Sequence, residues 1–329
     1  MDSQTAGDRE GIDFEALDLQ APEAEVVAWR GRRALKLSGL ALVPEPAVAD
    51  AILEVDICAE GPAYPGIAFR AVDAHNFELV YAVPHCSELW DALQYDPVFR
   101  GSNTWQLYHG EAFQKAATVP TGEWFHLQVQ FRDAEAAVSV DGQPPLLVPC
   151  LAHAPAPGKI GVWTYQPAFF SNLRLGPRPT SLLSPADHRV LWPEIVQEWV
   201  LQGCGKVACE PHGILNLNRY LEPSAGTARV VRRFNLPEAG EVQLRFGFSD
   251  ELSLTVDGRV CYTGQNTFQG FGSYADRGYV ERDANEVCLS LGSGLHQLCA
   301  TVKVTEGFGW GLALSIHGEG LRLQPAVQK

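Results

Sequence analysis

The feature that most limits what this chain can become is a repeated rhythm of short apolar runs. AEVVAWRG, ALKLSGLALV, AILEVDICAE, GIAFRAV and FELVYAVPH follow one another in the first half. EWFHLQVQFRD, EAAVSVDGQ, KIGVWTY and FFSNLRL come next. Each is rich in β-branched or aromatic residues, alternates in polarity, and is bounded by Gly, Pro or Asp, which is the pattern of half-buried strands. ARVVRRFNL, EVQLRFGFSD, ELSLTVDGRVCYTG, NEVCLSLGSG, LHQLCATVKVTEGFGW and GLALSIHG repeat that character in the second half. Asp141-Gly142 and Asp257-Gly258 stand where tight turns are expected. Only WPEIVQEWVLQG, with Trp192, Ile195, Val196 and Trp199 at helical spacing, predicts a short helix. The pattern therefore predicts an all-β protein of two antiparallel β-sandwiches.

The stretch GPRPTSLLSPADHR, with three prolines and little periodicity, marks the boundary. The expected organisation is a polar tail at 1–11, a first sandwich at 12–176, a Pro-rich linker at 177–189, a second sandwich at 190–323 and a short tail at 324–329. The 329 residues hold 31 Gly, 22 Pro and 8 Trp, which suits a turn-rich, aromatic-rich fold of this size.

The net charge of −14 argues against a nucleic-acid backbone or an anionic membrane, both of which call for clustered Lys and Arg. A neutral polar small molecule or a glycan is the expected partner. The acidic N-terminus lacks the basic and apolar regions of a signal peptide, and no apolar run approaches the ~18–20 residues that span a bilayer. Eight scattered cysteines without a CxxC read as mostly buried thiols, and the expected location is cytoplasmic. The nine histidines form neither HExxH nor a compact Cys/His cluster, so no metal and no cofactor is expected. Asp73 with His75, or Asp250 with Glu251, are the pairs that a loop-bound structural Ca²⁺ would use, against the commoner use of Asp as a turn cap.

Candidate site residues concentrate between Gly66 and Gly110. Strict alternation sets Arg70 opposite core Phe69, and Asn76 and Glu78 opposite Phe77 and Leu79. In NTWQLYHG it makes Trp105 and Leu107 core and leaves Gln106 and Tyr108 exposed. Arg70, Glu78, Gln106 and Tyr108 are then expected on one open sheet face, with Asn76, Tyr81, Gln94 and Tyr95 as further ligand-binding residues. A guanidinium, a carboxylate, amides and phenols suit polyol hydroxyls. His85 and the loop around Gln94 lie at the rim. In an enzyme, Glu78 or His85 would be the general base. The plain alternative is a solvated face with an Arg70–Glu78 pair worth at most about 1 kcal/mol.

Two other places carry the residue types of a site. Glu54, Asp56 and Glu60 invite comparison with the carboxylates of retaining glycosidases, ~5–5.5 Å apart. The third acid is displaced and no aromatic flanks it, so a polar outward face beside core Leu53, Val55 and Ile57 is the expectation. The loop 264–278, with Asn266, Phe268, Tyr274 and Asp276, is a Gly-rich surface loop with sugar-binding residue types.

GIAFRA at 66–71, FELVYAVPH at 77–85, DALQYDPVFRG at 91–101, WQLYHG at 105–110, the GEWFHL run from Gly122 and the closing FFSNLRL resemble the concanavalin-A-like (laminin-G-like) jelly rolls of bacterial proteins. The middle motifs resemble a subgroup with no assigned activity. More distantly they are similar to domains associated with 3-keto-disaccharide hydrolases and to glycan-binding lectins. FGFSDELSLTVDGRVCYTGQNTF and TEGFGWGLALSIHG make 190–323 similar to galactose-binding-domain-like jelly rolls attached to glycosidases. What the resemblance implies is carbohydrate binding by the first sandwich, or hydrolase or lyase activity on a glycoside in the same groove. A structural reading makes the second sandwich a homodimerisation or docking module. Both folds host many activities, so the residues must decide.

Overall fold

The computed structural model describes residues 10–180, 182 and 194–326. Trp192 and most of the Pro-rich boundary stretch lie outside them. The described chain is all-β, with antiparallel pairing throughout and only 3₁₀ turns besides strands. It divides into two compact units: residues 1–101 with 108–189, and residues 102–107 with 190–329. No helix among the described residues is long and apolar enough to cross a membrane.

The first unit contains β1 (Glu10–Gly11), β2 (Asp18–Trp29), β3 (Arg32–Leu42), β4 (Ala51–Cys58), β5 (Gly66–Asp73) and β6 (Asn76–Ala82). These are followed by β7 (Leu93–Tyr95), β8 (Gln114–Lys115), β9 (Phe125–Arg132), β10 (Glu135–Val140), β11 (Leu146–Val148) and β12 (Lys159–Gly176). β12 runs alongside β3 on one edge and serves two partners on the other. Lys159–Trp163 pair with β5, whereas Phe169–Gly176 pair with β4. A register shift between Thr164 and Ala168 separates the two stretches. The sheet thus forks into a β4–β9–β10–β11 branch and a β5–β6–β7–β8 branch. The branches pack face to face: Phe69 of β5 meets Phe131 of β9 with ring centroids 4.5 Å apart. Leu53, Val55 and Ile57 are fully buried, as the alternation of β4 requires.

The second unit contains β13 (Glu198–Leu201), β14 (Gly205–Ala208), β15 (Leu215–Asn216), β16 (Thr227–Leu236), β17 (Gly240–Ser249) and β18 (Glu251–Val256). Then come β19 (Arg259–Gln265), β20 (Asn285–Leu291), β21 (Gly294–Lys303), β22 (Gly311–Gly318) and β23 (Arg322–Leu323). One sheet runs β14-β13-β16-β21-β18-β19 with β23 also on β16, and the other runs β15-β22-β17-β20. Trp199, Trp310, Phe234 and Phe246 fill the core of this unit. Asp257 and Gly258, both at positive φ, make the β18–β19 turn that their dipeptide predicts.

The helix expected around Trp199 is not formed. Glu198–Leu201 is a strand between β14 and β16, and the Trp199 indole is buried with its Nε1–H donating to the Val196 carbonyl at 3.1 Å. In so short an apolar run, Trp199 and Leu201 satisfy a period of two as well as Ile195 and Trp199 satisfy a period of four. Long-range pairing with β16 then decides. The cysteines are also less uniformly buried than expected, since Cys204 and Cys288 are exposed.

One ion pair ties stability of the second unit to pH. His296 Nδ1 lies 2.7 Å from Asp257 Oδ2 and Nε2 lies 2.8 Å from the Gly292 carbonyl oxygen. Burial alone would lower the imidazole's pKa, but Asp257 and the carbonyl outweigh it and hold it above the ordinary 6.5. A group whose pKa is raised on folding contributes stability that is complete below its unfolded value and lost as pH rises through its folded value. Urea denaturation of the wild type is therefore expected to show stability falling as pH rises above about 6.5. His296→Gln should flatten that part of the profile.

Candidate functional site

The residues singled out between Gly66 and Gly110 are mostly not on an open face. Arg70 is 1% exposed, Glu78 and Gln106 are 0%, and Tyr81, Gln94, Tyr95 and Tyr108 are buried as well. For Arg70 the reason is a bulge. The β5–β6 register shifts between Phe69 and Asp73, and Arg70 takes a positive φ of 48°. The alternation that sends it outward stops at Phe69. Its guanidinium turns inward instead, where Nε donates to the Ala49 carbonyl at 2.8 Å, Nη2 reaches Asp50 Oδ1 at 3.3 Å and the Phe131 ring lies 5.5 Å away. Glu78 pairs across from Phe69 and faces the same core. It accepts the Tyr95 hydroxyl at 2.7 Å and the His153 N–H at 2.8 Å. Burial and the adjacent Glu78 charge push the Tyr95 phenol well above its ordinary range. Burial depresses the Arg70 guanidinium, and the Glu78 and Asp50 charges oppose that. Arg70 and Glu78 are brought together as expected, but as a buried charge network.

Tyr81 and Gln94 also meet inside, the Tyr81 hydroxyl donating to Gln94 Oε1 at 3.3 Å. Gln94 Nε2–H donates to the Asp91 carbonyl, and Gln114 Nε2–H donates to Gln94 Oε1. Tyr108 packs edge-on against Tyr95 and Phe113. His85 is exposed, edge-on to Tyr64 at 5.1 Å, and Asn76 is half-buried, its Nδ2–H donating to the Asp73 carboxylate.

Gln106 departs furthest from expectation. Trp105–Leu107 is a turn rather than a strand, and Ser102–Leu107 belongs to the second unit. All four polar groups of Gln106 are used there. Its N–H donates to Phe308 O, its carbonyl accepts from Val280, its Nε2–H donates to Arg277 O and its Oε1 accepts the Ser249 hydroxyl at 2.8 Å. Trp105 sits among Phe268, Tyr279 and Phe308.

The residues weighed for Ca²⁺ act as caps. Asp73 accepts the His75 N–H at 2.7 Å. Asp250 is fully buried and accepts from the backbone N–H groups of Thr305 and Glu306 and from the Ser249 hydroxyl. In the loop 264–278, Asn266 donates to the Phe248 and Tyr279 carbonyls, and Asp276 accepts the Ser273 hydroxyl. Asn266 and Tyr274 help to line a cavity of about 270 Å³ with Tyr279, Glu281 and Asn285.

A polar cluster that solvent reaches lies on the β4 branch of the first unit. Glu54 and Asp56 alternate along β4. Asp56 pairs across from His126 on β9 and Ser171 on β12, and Glu54 pairs across from Gln128 and Arg174. His126 spans both acids, with Nδ1 2.8 Å from Asp56 Oδ1 and Nε2 3.7 Å from Glu54 Oε2. A second register shift in β12, between Ser171 and Arg174, puts Asn172 at positive φ with its Nδ2–H donating to Asp56 at 2.7 Å. Arg32 also binds Asp56, and its guanidinium lies 4.8 Å over the Trp124 ring. Burial would raise the Asp56 carboxyl, but the His126 and Asn172 hydrogen bonds and the Arg32 charge hold it below 3.8. His126 and Arg32 keep 39% and 37% of their side chains exposed, whereas Glu54 keeps 4%. Glu60 stands apart, paired with Arg30 at 3.2 Å.

The expected polar face beside Leu53, Val55 and Ile57 exists, yet one of its acids is covered and an aromatic ring does stand beside it. EWFHLQVQFRD carried the missing signal, because alternation in that run places His126, Gln128 and Gln130 opposite core Phe125, Leu127 and Val129. Arg32 and Asn172 become neighbours of Asp56 only through long-range register.

No family model matches the chain, and no curated protein matches it. Among solved structures it is similar to the carbohydrate-binding module CBM66 from Bacillus subtilis, with 13% identity and a TM-score of 0.38 over 48% of this chain and 94% of that one. A Bacillus subtilis protein of unknown function with a galectin-like fold matches with 10% identity and a TM-score of 0.36 over 50% and 90%. Bacillus licheniformis β-glucanase matches with 13% identity and a TM-score of 0.33 over 53% and 100%.

The burial of Glu78 has a direct consequence for stability. Glu78→Ala removes a carboxylate that opposes the buried Arg70 charge and accepts the Tyr95 hydroxyl. Denaturation is expected to show a loss of about 3–5 kcal/mol, and Glu78→Gln, which keeps an acceptor, should lose less. Equal stability of Glu78→Ala and wild type by urea titration would contradict a structural role.

Proposed function

We propose that the chain is a carbohydrate-binding protein whose first unit holds its ligand on the Asp56–His126 face. One observation carries this reading. A single imidazole reaches two carboxylates on alternate positions of β4, within a partly exposed patch that also offers Arg32, Asn172, Gln128 and the Trp124 ring. Sugar hydroxyls call for directional donors and acceptors beside an apolar plane, and the patch supplies each.

A second reading is hydrolysis or lyase chemistry on a glycoside at the same place. The feature favouring it is the covered Glu54 beside the better-solvated Asp56, because two carboxylates in unlike surroundings are the starting point for an acid and a base. Glu78 is enclosed by the core and does not serve as a general base for a ligand approaching from solvent.

A glycan array followed by titration calorimetry tests both readings. Wild type is expected to bind at least one neutral glycan, and Asp56→Asn and His126→Ala should each weaken it by at least about tenfold, near 1.4 kcal/mol. Mass spectrometry of the incubated glycan separates binding from turnover: unchanged mass supports the first reading, and a cleaved product supports the second. Absence of any bound or altered sugar would overturn both.

A further inference from the structure

The second unit contains a buried positive charge that its described residues answer only in part. Along β16 the burial alternates, and Arg232 shares its parity with core-facing Val230 and Phe234. On one edge of β16, β13 pairs at Val230 and Val231, and β23 pairs at Phe234 and Asn235. Arg232 and Arg233 fall in the gap between them. A cavity of about 300 Å³ opens there, lined by Arg229, Arg232 and Arg233 together with Gln202 and Gln297. No carboxylate lines it among the described residues.

Arg232 is 8% exposed, and its Nε and Nη1 have no hydrogen-bond partner among the described residues. Burial pushes its pKa down, and the Glu198 charge only partly offsets this. Glu198 itself is engaged by Lys206 at 2.5 Å. The neighbouring arginines have neutral partners: Arg229 Nε–H donates to Cys299 Sγ at 2.9 Å and Arg233 Nε–H to Gln297 Oε1 at 3.3 Å. A buried guanidinium without a counter-charge is costly, and Arg232, with exposed Arg229 and half-buried Arg233 lining the same cavity, offers the charge that an oxyanion would answer.

We propose that this cavity binds a small molecule carrying an oxyanion, a phosphate ester or a carboxylate, with Arg232 as the buried anchor and Arg229 and Arg233 completing the grip. The site is separate from the glycan face and does not depend on that reading. Calorimetric titration of the full chain with inorganic phosphate, glucose 6-phosphate and glucuronate, at constant KCl, is the test. Wild type is expected to bind at least one of them with a Kd of a few millimolar or tighter, about −3 to −4 kcal/mol or better. Arg232→Met should weaken that binding at least about tenfold while leaving the ligand-free protein as stable as wild type or more so. Arg229→Gln combined with Arg233→Gln should weaken it severalfold and, because both side chains are more accessible, serves if Arg232→Met does not fold. Tighter binding of the phosphates points to a phosphate ester as ligand, and tighter binding of glucuronate to a carboxylate. Failure of all three to bind below about 10 mM, or unchanged binding in the folded variants, overturns the proposal.

Discussion

The first unit depends on one strand being used twice. β12 is long enough to lie against β5 with its first residues and against β4 with its last, and the register shift at Thr164–Ala168 lets it change partners. The extra residues of a bulge bend a strand and increase its twist. From that fork the two branches can fold over one another and bring Phe69 onto Phe131. Close backbone contact at this strand leaves no room for side chains at two glycines. A Cβ on Gly161 would sit 2.0 Å from the Ala41 carbonyl oxygen, and one on Gly158 would sit 2.4 Å from the Arg70 carbonyl carbon. The KIGVWTY run therefore needs glycine where backbones meet rather than where a turn is made.

Bulges also mark the limit of what the sequence discloses. Strand existence, and core positions such as Leu53, Val55 and Ile57, were legible because alternation is local and survives tertiary packing. Side-chain direction at Arg70 and Asn172 was not, since both sit at register shifts that depend on the partner strand. Gln106 shows another limit. WQLYHG reads as a strand, but Trp105–Leu107 is a turn whose Gln106 bonds to residues of the second unit at Ser249, Arg277, Val280 and Phe308. Nothing local announces partners so distant in sequence. Trp199 makes the complementary case, where a run too short to choose between periods is settled by the strand beside it.

Arg70, Glu78, Gln94, Gln106 and Tyr108 have side chains suited to a polar ligand. Burial separates residues that use their hydrogen-bonding capacity on the fold from those that keep some of it for solvent. The residues between Gly66 and Gly110 mostly belong to the first group. His126, Asn172 and Arg32 converge on Asp56 while remaining accessible, and so belong to the second. Polar residue type nominates a site, but accessible and unspent polarity is what a ligand can use.

Two buried arginines make that distinction quantitative in kind. Arg70 is enclosed by the first unit and answered there: a carbonyl takes its Nε–H, Asp50 lies at 3.3 Å, and Glu78 adds a second negative charge nearby. That network leaves only Nη1 of the Arg70 guanidinium without an acceptor among the described residues. Arg232 is nearly as covered, yet Glu198, the acid whose charge reaches it, is engaged by Lys206, and two of its nitrogens meet no acceptor among the described residues. Desolvation penalises both guanidiniums, but two carboxylates and a hydrogen-bonded carbonyl oppose it at Arg70, whereas at Arg232 only the Glu198 charge does among the described residues. A protein is expected to tolerate an uncompensated buried charge where something outside the chain completes it. The open cavity beside Arg232 places that requirement in the second unit.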